Sequence, residues 1–347
     1  LPNTKADVKE WGGLKPVYVS PSRKIAMIPR QRIVKDVYRV LVEQLGYNTD
    51  VVLAFKLDGW AAYRCPAANC DLEEVYHPII RCGRLHPYVS YKHSSRAAAN
   101  VLDRVIALGC DYVLCLDLTI DADRSDRVGP ADVREMYKAA GEFLKELYRL
   151  LYPRKKGSFG GWAAVHIWKT QTPVQPKLHL HLVIPNVVRD GDRLVRFHPY
   201  LNPRVIRLAW HIVSKKHGWI DPDQVPNVRV RYIKVADRSK LIARLTYMFR
   251  RPIEDLNVFL NEDMLNDHPD WDFIQRVIEY SPRLRAVGFC VRLKSLGIIV
   301  PKSKTPICPI CGSSLIKVGQ LRKLPPGIGY YTFNVQGKLE KIDGWGS

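Results

Sequence analysis

Long apolar runs are missing from this chain of 347 residues. None approaches the ~18 apolar residues in a row that read as a transmembrane helix, so the sequence argues against a membrane span. The opening stretch, LPNTKADVKEWGG, lacks the basic-then-apolar order of a secretory signal. Cysteine is sparse: eight residues are too few to staple a chain of this length as a disulfide scaffold. Acidic residues are outnumbered, with 34 Asp and Glu against 54 Lys and Arg, for a net charge of +20. Repeats and low-complexity tracts are absent. The chain starts without Met and ends GWGS, which reads as a fragment of a longer protein or a processed chain.

What remains is informative. Hydrophobic residues make up 46% of the chain, which is globular composition. The length suffices for two or three domains with a sizeable core. A strongly positive field favours a polyanionic partner. Nucleic acid fits that better than an anionic membrane, because no basic amphipathic helix with a clean apolar face stands out. The alternative is a basic surface that serves solubility, as in proteins of thermophiles. Close cysteine pairs point to metal in a reducing cytosol, hence to a cytoplasmic protein.

Periodicity predicts helices over 31–46, 94–109, 129–151, 202–218 and 238–251. It predicts strands over 51–55, 111–120, 161–170, 177–184 and 227–235, with another in DRLVRFHPY. Residues 56–93 read as irregular. The linker QTPVQP makes a hairpin of the strands before and after it. Helices and strands alternate irregularly, so the fold class is α+β: an antiparallel central sheet flanked by helices, with small zinc-binding additions. The expected organisation is an N-terminal region, 1–95, a core, 96–260, and a C-terminal extension, 261–347, of helical and half-ribbon character.

The most pointed stretch is KLHLHLVI, residues 177–184. Strand side chains alternate faces. His179 and His181 therefore share one face, and Leu178, Leu180, Leu182 and Ile184 point into the core. Same-face neighbours lie about 6.5–7 Å apart, within reach of one divalent ion. His166, on the neighbouring strand, is the best third ligand; Gln171 and Gln175 are weaker. The bland alternative is two harmless surface histidines.

A second element carries different chemistry. In the 238–251 helix, Lys240, Arg244, Tyr247 and Arg251 follow helical spacing on one face, and Leu241, Ile242, Leu245, Met248 and Phe249 form the other. From Arg229 to Arg251 there are eight basic residues and one acid, Asp237. A phenol is a poor nucleophile at neutral pH, and neighbouring cations favour its phenolate form. A metal that polarises a phosphate eases attack at phosphorus. The alternative is an interfacial tyrosine on a solvated basic helix.

Taken together, these pieces resemble the HUH endonuclease superfamily, and most of all the rolling-circle replication initiators of plasmids and viruses. HLH, at 179–181, is similar to the family's His–hydrophobic–His motif. LCLDLTI, with Thr119, resembles the apolar strand that precedes it, and YMFR resembles the tyrosine helix that follows. The motifs stand in the family's order over roughly residues 100 to 255. The resemblance implies Mn²⁺ or Mg²⁺ held by His179, His181 and a third residue. It implies Tyr247 as the nucleophile and Arg250 as a contact to the scissile phosphate, with Lys240, Arg244 and Arg251 on DNA. The activity implied is nicking and joining of single-stranded DNA at an origin, beside flanking duplex, with a 5′-phosphotyrosine link and a free 3′-OH. The chain departs from many initiators in having no acid between Gly157 and Val188, so His166 is the expected third ligand. Ala243 stands where some members carry a second tyrosine, which implies a one-tyrosine enzyme. Tyr232 is a rival nucleophile. A single-strand transposase or relaxase, or a basic binding module without catalysis, are the alternative readings.

The cysteines suggest structural zinc. Cys65 and Cys70, followed by Cys82 and His86, have ligand spacing, with His77 as a spare. Cys308 and Cys311 form half of a ribbon, whose other half is either outside the chain or includes Cys290. Cys110 and Cys115 read as core.

Overall fold

The computed structural model describes residues 24–27, 40–52, 55–82, 87–120, 129–168, 176–197, 200–221, 223–250, 271–280, 283–298, 306–333 and 339–342. In chain order the strands and principal helices are β1 (Lys24–Met27), β2 (Phe55–Arg64), β3 (Glu74–Cys82), α1 (Pro87–Ala107), β4 (Tyr112–Thr119) and α2 (Pro130–Leu151). There follow β5 (Gly157–Ser158), β6 (Gly160–Trp168), β7 (Pro176–Pro185), β8 (Val187–Asp190), β9 (Arg193–Arg196), α3 (Pro203–Lys216), β10 (Val228–Lys234) and α4 (Arg238–Phe249). The last elements are α5 (Trp271–Glu279), β11 (Arg285–Gly288), β12 (Ile316–Leu321), β13 (Gly329–Phe333) and β14 (Leu339–Ile342). The fold is α+β with predominantly antiparallel sheets.

The central sheet has five strands in the order β10-β4-β7-β6-β11, every pair antiparallel. Alternation assigns its two faces. Leu114, Leu116, Leu118, Leu180, Leu182, Ile184 and Val165 point to the side covered by α2 and α3 and are fully buried there. Each such aliphatic side chain contributes about 1.5–3 kcal/mol of burial free energy. Cys115, Val183, Trp162 and Ala164 point to the other side, against α1 and α4. The helices start where local chemistry satisfies their free amides. Pro130 opens α2, and the Asp132 carboxylate accepts from the Gly129 amide at 2.9 Å. The Asn202 side chain caps α3 and that of Asp237 caps α4.

The second sheet joins both ends of the chain in the order β12-β2-β3-β1-β13-β14. It is mixed: β1 runs parallel to β3 and β13, and the other pairs are antiparallel. Strands from the 1–95 and 261–347 regions, separate in the sequence reading, thus lie side by side. A small third sheet, β5-β8-β9, completes the fold.

Three expectations change. The described part of 56–93 is largely regular, since α1 starts at Pro87 and β2 and β3 form a long hairpin. A register shift between Leu57 and Gly59 breaks the period of two that would have revealed it. Of the strand expected at 51–55, Val51 and Val52 belong to a helical turn, Thr49–Val52, and Phe55 belongs to β2, with residues 53 and 54 outside the described residues. Helix α1 begins at Pro87, not at a Ser cap near 94, and Ser94 is buried inside it. The 31–46 helix lies mostly outside the described residues; its last part, Val40–Gln44, is helical and Gly46 follows at φ 64°. No described helix is long and apolar enough to cross a membrane.

Candidate metal centre and the tyrosine beside it

Register, not sequence distance, builds the centre. Across the β6–β7 hairpin His166 is paired with His179 and Ala164 with His181. Across β4–β7, Asp117 is paired with His181 and Thr119 with His179. Directly paired residues share a face, so His166, His179, His181 and Asp117 all stand on the side covered by α1 and α4. The expected hairpin and the expected third histidine are both present.

The hydrogen-bond network assigns the tautomers. His166 Nε2–H donates to the Met248 carbonyl at 2.9 Å, and His179 Nδ1–H donates to the Lys177 carbonyl at 2.9 Å. His181 Nδ1–H donates to Asp117 Oδ1 at 2.6 Å. Each imidazole therefore spends one N–H on an oxygen and keeps a lone pair on its other nitrogen. The three rings converge: one ligand nitrogen from each lies within 4.8 Å of the others. His181 Nε2 and His166 Nδ1 are 3.1 Å apart. Two lone pairs at that distance repel unless a cation lies between them. A proton bridges only two nitrogens, whereas a metal ion serves all three. Nitrogens bound at about 2.1 Å to adjacent positions of one ion lie about 3.0–3.4 Å apart, from octahedral to tetrahedral geometry, so the His181–His166 spacing fits.

Burial favours the neutral, ligand-competent rings. It holds His166 well below the ordinary histidine range and, with the nearby His181, pushes His179 down to about 3. His181 is lowered by burial as well, with Asp117 opposing. His166 and His181 are almost completely buried, and His179 is half-buried, so the cluster opens on the His179 side. Trp168 stacks on His166 at 4.4 Å and holds the ring in plane.

Helix α4 sets Tyr247 against this cluster. The tyrosine ring meets His181 edge-on at 5.8 Å. Two guanidiniums lie over it: Arg250 at 4.5 Å and Arg244 at 5.1 Å from the ring centre. Leu241, Ile242, Leu245, Met248 and Phe249 are buried beneath the helix as their spacing predicts. Tyr232, the rival, faces the other side of the sheet, where its hydroxyl donates to the Leu201 carbonyl at 2.6 Å.

Two site residues differ from expectation or escape it. Arg244, expected in an exposed DNA-binding stripe, is 8% exposed and ion-paired with Asp117. Lys240 on the same face is exposed. Asp117 itself was missed. Its burial opposes ionisation, but the hydrogen bond and charge of His181 and the Arg244 guanidinium hold its carboxyl below the usual range. The available signal was one acid at same-face spacing from Thr119 in the apolar run YVLCLDLTI. The exposed Arg229 and Arg231 of β10 are paired with Asp117 and Cys115, and rim the same face. Arg251, Gln171 and Gln175 lie outside the described residues.

The cysteines assemble differently from the sequence reading. Cys65 and Cys70 meet Cys308 and Cys311, with the four sulfurs within 4.8 Å of one another. The backbone of Cys82 stands at the far end of the hairpin. It ends β3 opposite Phe55, whereas Cys65 follows Arg64, which pairs with Glu74; roughly eight residues of strand, about 26 Å, intervene. His86 lies outside the described residues. His77 sits mid-strand, edge-on to Tyr63, and Cys290 is buried elsewhere. Cys110 and Cys115 are core, as expected.

A scan against models of known protein families, a search of curated proteins and a search of solved structures each found no significant match.

Proposed function

We propose that this protein is an HUH-type nicking and joining enzyme for single-stranded DNA, of the one-tyrosine replication-initiator kind. The observation that carries the reading is the convergence of three imidazoles, with a ligand nitrogen of each within 4.8 Å of the others, beside a tyrosine flanked by two guanidiniums. The order of the elements supports it too: the Thr119 strand pairs directly with the His-Leu-His strand, and the tyrosine helix covers their polar face. The central antiparallel sheet then corresponds to the palm of that superfamily.

In this reading His166, His179 and His181 hold a divalent ion, which when bound polarises a phosphodiester oxygen and stabilises charge developing on it. An all-imidazole donor set suits a borderline first-row ion better than Mg²⁺, which prefers oxygen. Asp117 fixes the His181 tautomer, and Arg244 fixes Asp117. The Tyr247 oxygen attacks phosphorus and releases its proton to solvent. The bond from phosphorus to the 3′ oxygen breaks, and that oxygen takes a proton from solvent and leaves as a hydroxyl. One phosphodiester is exchanged for another, so rejoining requires no outside energy. Arg250 and Arg244 balance negative charge around the tyrosine, and Arg229, Arg231 and Lys240 make salt-sensitive phosphate contacts.

His179→Ala tests this assignment. The expected outcome is loss of Mn²⁺-dependent oligonucleotide cleavage with single-strand binding largely retained, measured by gel cleavage and fluorescence anisotropy on one preparation. Cleavage at the wild-type rate contradicts the metal assignment.

A further inference from the structure

The four cysteines come from opposite ends of the chain and form one constellation. Cys65 Sγ and Cys311 Sγ are 3.4 Å apart, and Cys70 Sγ and Cys308 Sγ 3.7 Å. Sulfurs bound to one tetrahedral zinc at 2.3 Å lie about 3.8 Å apart. Both ligand turns are shaped as metal knuckles. The Gly312 amide donates to the Cys308 carbonyl at 2.9 Å, and the Cys70 amide to the Ala67 carbonyl at 3.1 Å. Backbone amides also point at sulfur: those of Ile310 and Cys311 at Cys308, that of Leu72 at Cys70, and that of Ser313 at Cys311. Burial raises the Cys70 and Cys308 thiols, and the amide donors aimed at sulfur oppose it, as thiolate ligation requires.

Among the described residues, those buried around the cluster are Met27, Leu72, Val75, Leu315 and Tyr331 beside the cysteines themselves, and a cluster of that size gains from a metal staple. The knuckle also rests on the tyrosine helix. Gly312 has φ 72°, and a Cβ added there would meet Arg238 Cβ and Ile242 Cδ1 at 2.6 Å each. The turn that carries Cys308 and Cys311 is therefore packed against the first turns of α4, the helix that presents Tyr247.

We propose that Cys65, Cys70, Cys308 and Cys311 bind one Zn²⁺ as thiolates, closing the two ends of the chain into one unit and bracing the Tyr247 helix through the 308–312 turn. The inference stands whether or not Tyr247 is a nucleophile.

The test uses the full chain. After an EDTA wash, metal analysis should find one tightly held zinc per chain. A His166→Ala, His179→Ala, His181→Ala variant should keep it, and Cys308→Ser should lose it. Should Cys308→Ser fold poorly, Co²⁺ substitution in the wild-type chain decides instead. It should give the strong visible absorption and the sulfur-to-metal charge-transfer band of a tetrahedral thiolate site. Releasing the zinc with an organomercurial should speed hydrogen exchange in 238–249 by about tenfold and leave β6 and β7 unchanged. Cobalt spectra without the charge-transfer band, or a native mass lowered by the hydrogens lost to two disulfides, overturn the site. Zinc release with no change in α4 exchange overturns the bracing.

Discussion

The central sheet and the end-joining sheet solve the same packing problem with different means. In the central sheet, helices cover both faces, and Leu114, Leu116, Leu180, Leu182, Phe143 and Trp210 disappear from solvent entirely. In the end-joining sheet the described buried residues fall into two small groups, one around Trp60 and Tyr76 and one around the cysteines. The histidine cluster also differs from the cysteine cluster in what it offers. Three imidazoles would leave room around a bound ion on the half-buried His179 side, whereas four sulfurs would fill a tetrahedral shell. An open coordination shell suits chemistry, and a closed one suits structure. The two regions meet at α4, which carries Tyr247 on one face and supports the 308–312 turn at its start.

The contrast can be broken first by core truncation. Trp210→Ala in the central core should cost about 3–5 kcal/mol and lower the main unfolding transition. Trp60→Ala should act only on the end-joining sheet, leaving protection of β6 and β7 amides intact in native-state hydrogen exchange. Equal global effects of the two changes would mean that the sheets unfold as one. Next in size is the buried ion pair. Arg244→Ala leaves the Asp117 carboxylate with His181 alone, and should cost about 3 kcal/mol in urea unfolding. Asp117→Asn is gentler on the fold and should weaken divalent-metal affinity about 10–100-fold by titration calorimetry. Unchanged affinity would remove Asp117 from the centre.

The smallest expected effect is a pH dependence in the end-joining sheet. His77 Nε2 is buried in β3, and burial pushes its pKa down to about 4. The unfolded chain therefore takes up a proton near pH 6.5 that the folded chain refuses until about 4. Stability from this group is present above about pH 6.5 and is lost as pH falls toward 4. Thermal melts across that range should fall with acid in the wild type and less steeply in His77→Gln; identical slopes would contradict the assignment.

Much of the central sheet was legible in the sequence. The alternation of KLHLHLVI and the aliphatic face of α4 are local signals and both hold, and the strands on either side of the linker pair as a hairpin, although residues 169–175 of the linker itself lie outside the described residues. The third histidine was legible because a hairpin places its two strands in register. Asp117 was not, because its partner strand is far along the chain and a lone acid in an apolar run has no periodic signature. The cysteine cluster was misread for the same reason: nearest pairs in sequence were joined, whereas the fold joins Cys65 and Cys70 to residues more than 200 positions away. Arg244 looked like surface because helical spacing gives a face and not what covers it.

The central claim rests on Tyr247 acting as a nucleophile beside the histidine cluster. Its most direct test is to incubate the protein with single-stranded oligonucleotides and Mn²⁺, denature, digest and map any covalent adduct by mass spectrometry. The account predicts a nucleotide linked through its 5′ phosphate to Tyr247, absent in Tyr247→Phe. An adduct on another residue, or an equal yield from Tyr247→Phe, would contradict it.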